Sequence, residues 1–162
     1  MPVPSICMDI SEFLEYHNWA DAMLIDCLKQ VSDDDFTSTA DGVRSIRELF
    51  EHYLSSYEYL IYAGDELKAR EAETKTMSRE QLSSELRRSH DKFKEVVTDF
   101  TPTQQLQMWE GKTVDMDRDN YLLLYLDHLT YHRGQIMHAI KLKGYKGVNT
   151  DYYDFLEKSK YA

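Results

Sequence analysis

Apolar residues recur along the chain at intervals of three and four, the spacing that places side chains on one face of an α-helix. Four long segments show this pattern, and they are separated by shorter polar stretches. The pattern predicts helices over about residues 9–31, 45–67, 78–100 and 117–144. Because the helices are long and their connections modest, the sequence predicts an all-α protein, with the fold of a four-helix bundle.

Local signals predict where these helices begin and end. Ser45 followed by Glu48, and Ser78 followed by Gln81, each fit a capping box at a helix N-terminus. Gly144 is the kind of residue that ends a helix in a left-handed conformation. These signals support the boundaries of the second, third and fourth helices.

The segments between and after the helices are shorter. Residues 107–114, QMWEGKTV, predict a small hairpin or ordered loop before the fourth helix. The acidic run of residues 32–35 is interpreted as a solvated loop, and residues 152–158 as a short final helix. No repeat or low-complexity tract divides the chain, so residues 1–162 are predicted to form one domain.

The fourth helix carries the most informative motif, DHLTYHRGQI. His128 and His132 are four residues apart, so their imidazoles lie on one helix face, one turn apart, where both can reach one metal ion. Gln135 lies close to the same line, which is interpreted as facing the core. His138 falls well off that line and is left out.

Two histidines make an incomplete site, and other helices offer further ligands. His52 is the best third ligand, because it lies in mid-helix among small or polar neighbours. His17 and Asp21 lie on the inward face of the first helix and could complete the coordination or orient a bound water. Glu48 is a further candidate for supporting the ligands, and His90, near the charged side of the third helix, is a poor one.

Each of these residues also has a structural interpretation. A histidine on an apolar face is more often a core residue with a satisfied hydrogen bond, which is the favoured interpretation of His17 alone. Two histidines at this helical spacing are a weak signal by themselves. Glu48 fits a helix cap better than a ligand.

Charge and composition exclude several classes of protein. The net charge of −10 argues against binding to a nucleic-acid backbone, which needs a basic face. No apolar run is long enough to span a membrane. Cys7 and Cys27 are too few for a disulfide framework, and the first residues lack the form of a signal peptide, so a reducing cytoplasm is the simplest location.

The motif DHLTYHRGQI resembles the HxxxHRGQ motif of the DinB-like (DinB/YfiT-like) metalloenzyme superfamily. Residues 45–52, SIRELFEH, are similar to the segment that carries the first metal histidine of that family. Residues 16–21, YHNWAD, and the tail over residues 147–156 also resemble family segments. The resemblance therefore covers nearly the whole chain, in order.

This resemblance implies a four-helix bundle, often dimeric, in which His52, His128 and His132 bind a divalent metal ion. Nickel or zinc is the first expectation, with manganese or iron as alternatives. Some relatives transfer low-molecular-weight thiols such as bacillithiol or mycothiol. Asp21 departs from the asparagine common in the family. If it faced the metal, its carboxylate would favour a more closed site and weaken the case for catalysis.

Three functions follow from these observations. The first is a metal-dependent enzyme, a thiol transferase or a hydrolase, acting on a small molecule. The second is a metal-binding protein without catalysis. The third is a helical interaction protein in which the histidines belong to the core.

Overall fold

Helices make up most of the chain in the computed structural model, which describes residues 9–39, 42, 44–62, 64–99, 103–107 and 113–160. The elements in chain order are α1 (Ile10–Leu28), α2 (Asp33–Thr37), α3 (Ile46–Ile61), α4 (Gly64–Thr74), α5 (Arg79–Thr98), β1 (Thr103–Gln107), β2 (Thr113–Asp117), α6 (Arg118–Leu142) and α7 (Tyr152–Phe155). A π-helical segment, Leu156–Lys160, follows α7.

The predicted helix starts are confirmed by their caps. Both capping boxes form: Ser45 with Glu48 at α3, and Ser78 with Gln81 at α5. The Asp117 side chain accepts a hydrogen bond from the Asn120 backbone N–H and begins α6. Each of these caps satisfies a backbone N–H that has no partner within the helix.

The second predicted helix is shorter than expected. It ends at Ile61, because Tyr62 has an extended backbone, with φ −119° and ψ 156°. Gly64 then adopts a φ of +59°, which a residue without a Cβ reaches at little cost. A separate helix, α4, begins at Gly64, and the continuous sequence pattern does not predict it.

The prediction of a loop over residues 32–35 is also wrong. Ser32 caps a five-residue helix, α2, by accepting a hydrogen bond from the Asp35 backbone N–H. Three aspartates occupy its first turn, where negative charge interacts favourably with the helix N-terminus. At the other end of the chain, the predicted final helix is present as α7 and the π-helical segment.

An antiparallel hairpin precedes α6. Strand β1 pairs with β2 so that Thr103 faces Asp117 and Gln107 faces Thr113. Of the segment predicted as a hairpin or loop, residues 107–114, the described residues 107, 113 and 114 belong to these strands. Its middle, residues 108–112, lies outside the described residues.

The core lies between the long helices. Helix α3 packs against α5 and α6, and α1 packs against α5. Fully buried apolar side chains come from each of these helices, among them Leu24, Phe50, Phe93 and Leu129. No helix within the described ranges is long and apolar enough to cross a membrane.

A buried ion pair holds α4 against the long helices. Arg70 on α4 pairs with Glu58 on α3, at 3.5 Å, and with Glu85 on α5. The Glu58 side chain is fully buried. Burial raises the pKa of Glu58 to about 7, although the neighbouring Arg70 opposes this shift.

Glu58→Gln is expected to change how stability depends on pH. The pKa of Glu58 rises from about 4.5 to about 7 on folding, so between these values the folded state holds a proton that the unfolded state has lost. The free energy of unfolding therefore falls as pH rises through this window, and Glu58→Gln removes that part of the slope. Urea unfolding at a series of pH values measures it. Glu66→Gln, at an exposed carboxylate of α4, is the control and is expected to keep the wild-type slope.

Candidate metal centre

The histidines of α3 and α6 lie side by side. The ring centroid of His132 is 4.4 Å from that of His128 and 4.5 Å from that of His52, and both pairs meet edge to face. The Nε2 atoms of His128 and His132 are 3.2 Å apart. The predicted pairing of the two α6 histidines, and their approach to His52 across the helix interface, are therefore present.

The distance between the two Nε2 atoms fits a shared ion. Two nitrogens that each bind one ion at about 2.1 Å, with an angle of about 90–110° between them, lie about 3.0–3.4 Å apart. The observed 3.2 Å falls within this range. The separation of these two nitrogens is thus compatible with adjacent ligands of one ion, and it is also the separation of a hydrogen bond between the two rings.

Gln135 orients one of these rings. Its Oε1 atom lies 2.9 Å from Nδ1 of His132. An amide oxygen only accepts hydrogen bonds, so Nδ1 of His132 carries the proton and Nε2 directs its lone pair toward His128. This is how a supporting residue fixes a metal-binding histidine.

The ring of His52 contacts that of His132, but His52 does not complete a set of three metal ligands. Within the described part of the chain, no three His, Cys, Asp or Glu side chains bring their donor atoms together as a metal-binding group. His52 is exposed, His128 is half-buried and His132 is 7% exposed. The structure thus brings three imidazole rings together but assembles only two of their nitrogens.

Burial favours the neutral form of two of these imidazoles, those of His52 and His128. It lowers the pKa of His52, and the nearby His132 and Arg44 add to the effect. Burial also lowers the pKa of His128, again with its neighbouring histidines contributing. Neutral imidazole is the form that binds metal ions.

Two of the three histidines, His52 and His132, open onto a cleft of about 530 Å³. His52, His132 and Gln135 line it, and so do Arg44, Leu49, Tyr131 and His138. The expectation that the histidine stripe faces the core is therefore met only in part, since His132 and Ala139 are buried whereas His128 and Gln135 are half-buried. The core-facing side of α6 carries Leu122, Leu129 and Ile136, and a helical wheel defines only the relative directions of side chains.

His17 and Asp21, the predicted additional ligands on α1, lie in a different network. His17 Nδ1 is 3.1 Å from Nη1 of Arg133. Asp21 accepts hydrogen bonds from the hydroxyls of Tyr53, at 2.5 Å, and Tyr57, at 2.7 Å. Both residues are thus engaged on the side of α6 that carries Arg133.

Arg133 is the centre of this buried network, and its side chain is fully buried. Its guanidinium donates to the hydroxyls of Tyr53, at 3.1 Å, and Tyr16, at 2.8 Å. Tyr16 in turn donates to the Thr150 backbone carbonyl at 2.8 Å. One charged group therefore connects α1, α3, α6 and the segment before α7.

The electrostatics of the network follow from its burial. Burial raises the pKa of Asp21, while Arg133 and the two tyrosine hydroxyls oppose the shift. Burial also lowers the pKa of His17 well below its usual value, and the charge of Arg133 adds to this effect. His90, expected on the charged side of α5, is buried at this network, with Nδ1 3.9 Å from Oδ2 of Asp21.

The hydrogen bonds of the Glu48 carboxylate are made with Ser45 and not with the histidines. Its Oε2 atom accepts hydrogen bonds from the Ser45 backbone N–H and hydroxyl, each at 2.8 Å. The carboxylate is therefore engaged in the capping box, the structural alternative left open by the sequence.

Sequence reasoning missed three residues near the site. Arg133 lies about 140° around the helix from His128, and no pattern in the sequence indicates that its charge is fully buried. Arg44 and His138 line the cleft without belonging to the predicted stripe. No spacing signal indicates Arg44, because it lies just before a helix whose orientation the sequence does not define.

Comparisons with known proteins agree with this fold. The model of the DinB family matches residues 1–160. A crystal structure of a protein assigned to the DinB family, from Exiguobacterium sibiricum 255-15, is similar with a TM-score of 0.68; the match covers 90% of this chain and 100% of that chain. The two sequences are 19% identical, so this likeness shows the fold alone. No curated protein matches the chain.

Arg133→Met is expected to lower the free energy of unfolding by about 3–5 kcal/mol, because it leaves the carboxylate of Asp21 buried without its counter-charge. Urea denaturation followed by far-UV circular dichroism measures this loss. Arg87→Met, on the exposed side of α5, removes the same charge and is expected to stay within about 0.5 kcal/mol of wild type. A loss below about 1 kcal/mol for Arg133→Met would contradict the central role of this guanidinium.

Proposed function

The chain belongs to the DinB family, and we propose that it binds a divalent metal ion through His52, His128 and His132. The observation that carries the proposal is the pair of facing Nε2 atoms, 3.2 Å apart, on His128 and His132. His52 would supply the third nitrogen by reorienting a ring that already contacts His132.

The neighbouring residues have defined parts in this proposal. Gln135 holds His132 in the tautomer that exposes Nε2. Nickel or zinc suits three neutral imidazoles best, with manganese or iron as alternatives. When bound, the ion supplies a positive charge that lowers the pKa of a coordinated thiol or water.

We further propose that α1, α3, α5 and α6 are the four helices of a DinB-like bundle. Two of them, α3 and α6, pack together and carry all three histidines. The protein is proposed to act in the cytoplasm as a homodimer, and the exposed Leu123 and Leu124 on α6 offer apolar surface to a second copy.

The preferred activity is a metal-dependent reaction of a small molecule, thiol transfer first and hydrolysis second. The cleft beside the histidines supports this choice, because its volume of about 530 Å³ lies in the range of small-molecule sites. Metal binding without catalysis is the competing function, and it would use the same three ligands.

Protein purified without an affinity tag or added metal is expected to carry close to one metal ion per chain. His52→Ala, His128→Ala and His132→Ala are each expected to lose most of it, because two remaining imidazoles bind weakly. Plasma mass spectrometry of the purified proteins gives both the metal and its amount.

Two further variants test whether metal binding depends on the proposed ligands and their supporting residue. Gln135→Leu removes the hydrogen bond to His132 and is expected to weaken metal affinity about 10–100-fold. His138→Ala changes another imidazole of the same cleft and is expected to keep the metal. If wild type carries none, and added nickel, zinc or manganese leaves its thermal stability unchanged, the three-histidine site is wrong.

Catalysis is tested with the metal-loaded protein. A panel of low-molecular-weight thiols and electrophiles is expected to give a thiol-dependent product with wild type and none with His132→Ala. Mass spectrometry of the reaction mixture detects the conjugate. Absence of any product from stoichiometrically loaded wild type would favour the non-catalytic function.

A further inference from the structure

Arg44 gives the cleft a positive charge beside the histidines. It lies immediately before Ser45, the N-cap of α3, and it is exposed. It lines the same cleft as His52 and His132. Its charge also contributes to lowering the pKa of His52, so its field reaches the histidines.

The next carboxylate along the chain after Arg44 is already engaged. Glu48 accepts two hydrogen bonds from Ser45 in the capping box, and Arg44 contributes only the last of the effects that lower the pKa of Glu48. Among the described residues, none forms an ion pair with Arg44 within 4.0 Å. Within the described part of the chain, the Arg44 guanidinium at the cleft therefore has no carboxylate partner.

The other arginines near the site have structural partners. Arg47, one turn further on, pairs with Glu51 at 2.7 Å and donates to the backbone carbonyls of Lys75 and Met77. Arg133 is fully buried in the network with Tyr16 and Tyr53. Arg44 thus differs from both, because it lies at the cleft and no such set of partners is found for it among the described residues.

We propose that Arg44 binds the carboxylate of a small-molecule substrate whose other end reaches the histidines. A guanidinium pairs with a carboxylate through two parallel hydrogen bonds, which fixes orientation as well as charge. The exposed ring of Tyr131, whose centroid is 5.2 Å from that of His132, and the buried Leu49 supply apolar surface between the two ends.

This inference rests on the proposed function, and it narrows the substrate to molecules that carry a negative charge. An acidic protein with a net charge of −10 repels anions in general. A local positive group is therefore needed if the cleft is to select a carboxylate rather than a neutral compound.

The test compares charged and neutral thiols of equal length. Metal-loaded protein is titrated calorimetrically with 3-mercaptopropionate and 6-mercaptohexanoate, each beside the mercapto-alcohol with the same number of carbons. Wild type is expected to prefer the carboxylate of at least one length by about tenfold, the effect of a charge-assisted hydrogen-bonded pair. Arg44→Gln is expected to reduce that preference to about twofold or less, without changing metal content or the affinity for the mercapto-alcohol.

Two control variants separate a local site from a general charge effect. Arg44→Lys keeps the charge without the two parallel donors and is expected to restore part of the preference. Arg87→Gln removes one positive charge from the exposed side of α5 and is expected to keep the wild-type preference. An unchanged preference in Arg44→Gln, or an equal loss in Arg87→Gln, would overturn the proposal.

A metal-free measurement distinguishes failure of this inference from failure of the proposed function. The Arg44 side-chain Nε–H signal is followed by nuclear magnetic resonance during titration of the metal-free protein with hexanoate and with hexanol. A shift with hexanoate alone supports the carboxylate site even if the protein proves to bind no metal. No shift with hexanoate overturns it, whatever the metal content.

Discussion

A single buried charge constrains most of this structure. The guanidinium of Arg133 lies where four parts of the chain meet, and it is hydrogen-bonded to residues of α1 and α3 while belonging to α6. A buried charge is tolerated only when its partners are held in place. The positions of Tyr16, His17 and Tyr53 are therefore coupled, and Tyr16 extends the coupling to the backbone of Thr150.

The same network connects the core to the candidate metal centre. Tyr53 follows His52 on α3, and Arg133 follows His132 on α6. Because neighbouring residues on a helix point about 100° apart, each helix directs one of these side chains into the core and the other into the cleft. The hydrogen bond from Arg133 to Tyr53, at 3.1 Å, thus fixes the relative position of the two helices next to their histidines.

Sequence predicted the features that depend on local chemistry. The capping boxes at Ser45 and Ser78 and the spacing of His128, His132 and Gln135 all involve residues within one or two turns of a helix. The sequence did not predict the features that depend on tertiary packing. The break between α3 and α4 follows from backbone conformations at Tyr62 and Gly64, and the apolar pattern continues across it. Periodicity alone does not show whether the histidine face or the Arg133 face of α6 points inward, because both faces carry polar as well as apolar residues.

The position of Asp21 bears directly on what the cleft can do. A carboxylate among three neutral imidazoles would add a fourth ligand and close the coordination sphere. Asp21 instead accepts hydrogen bonds from Tyr53 and Tyr57, and it shares its buried surroundings with Arg133 and His90. Its negative charge therefore balances Arg133 in the core. An aspartate where the family often has asparagine was the reason for doubting an open site. That reason is weakened, since Asp21 is engaged in the buried Arg133 network and not at the cleft.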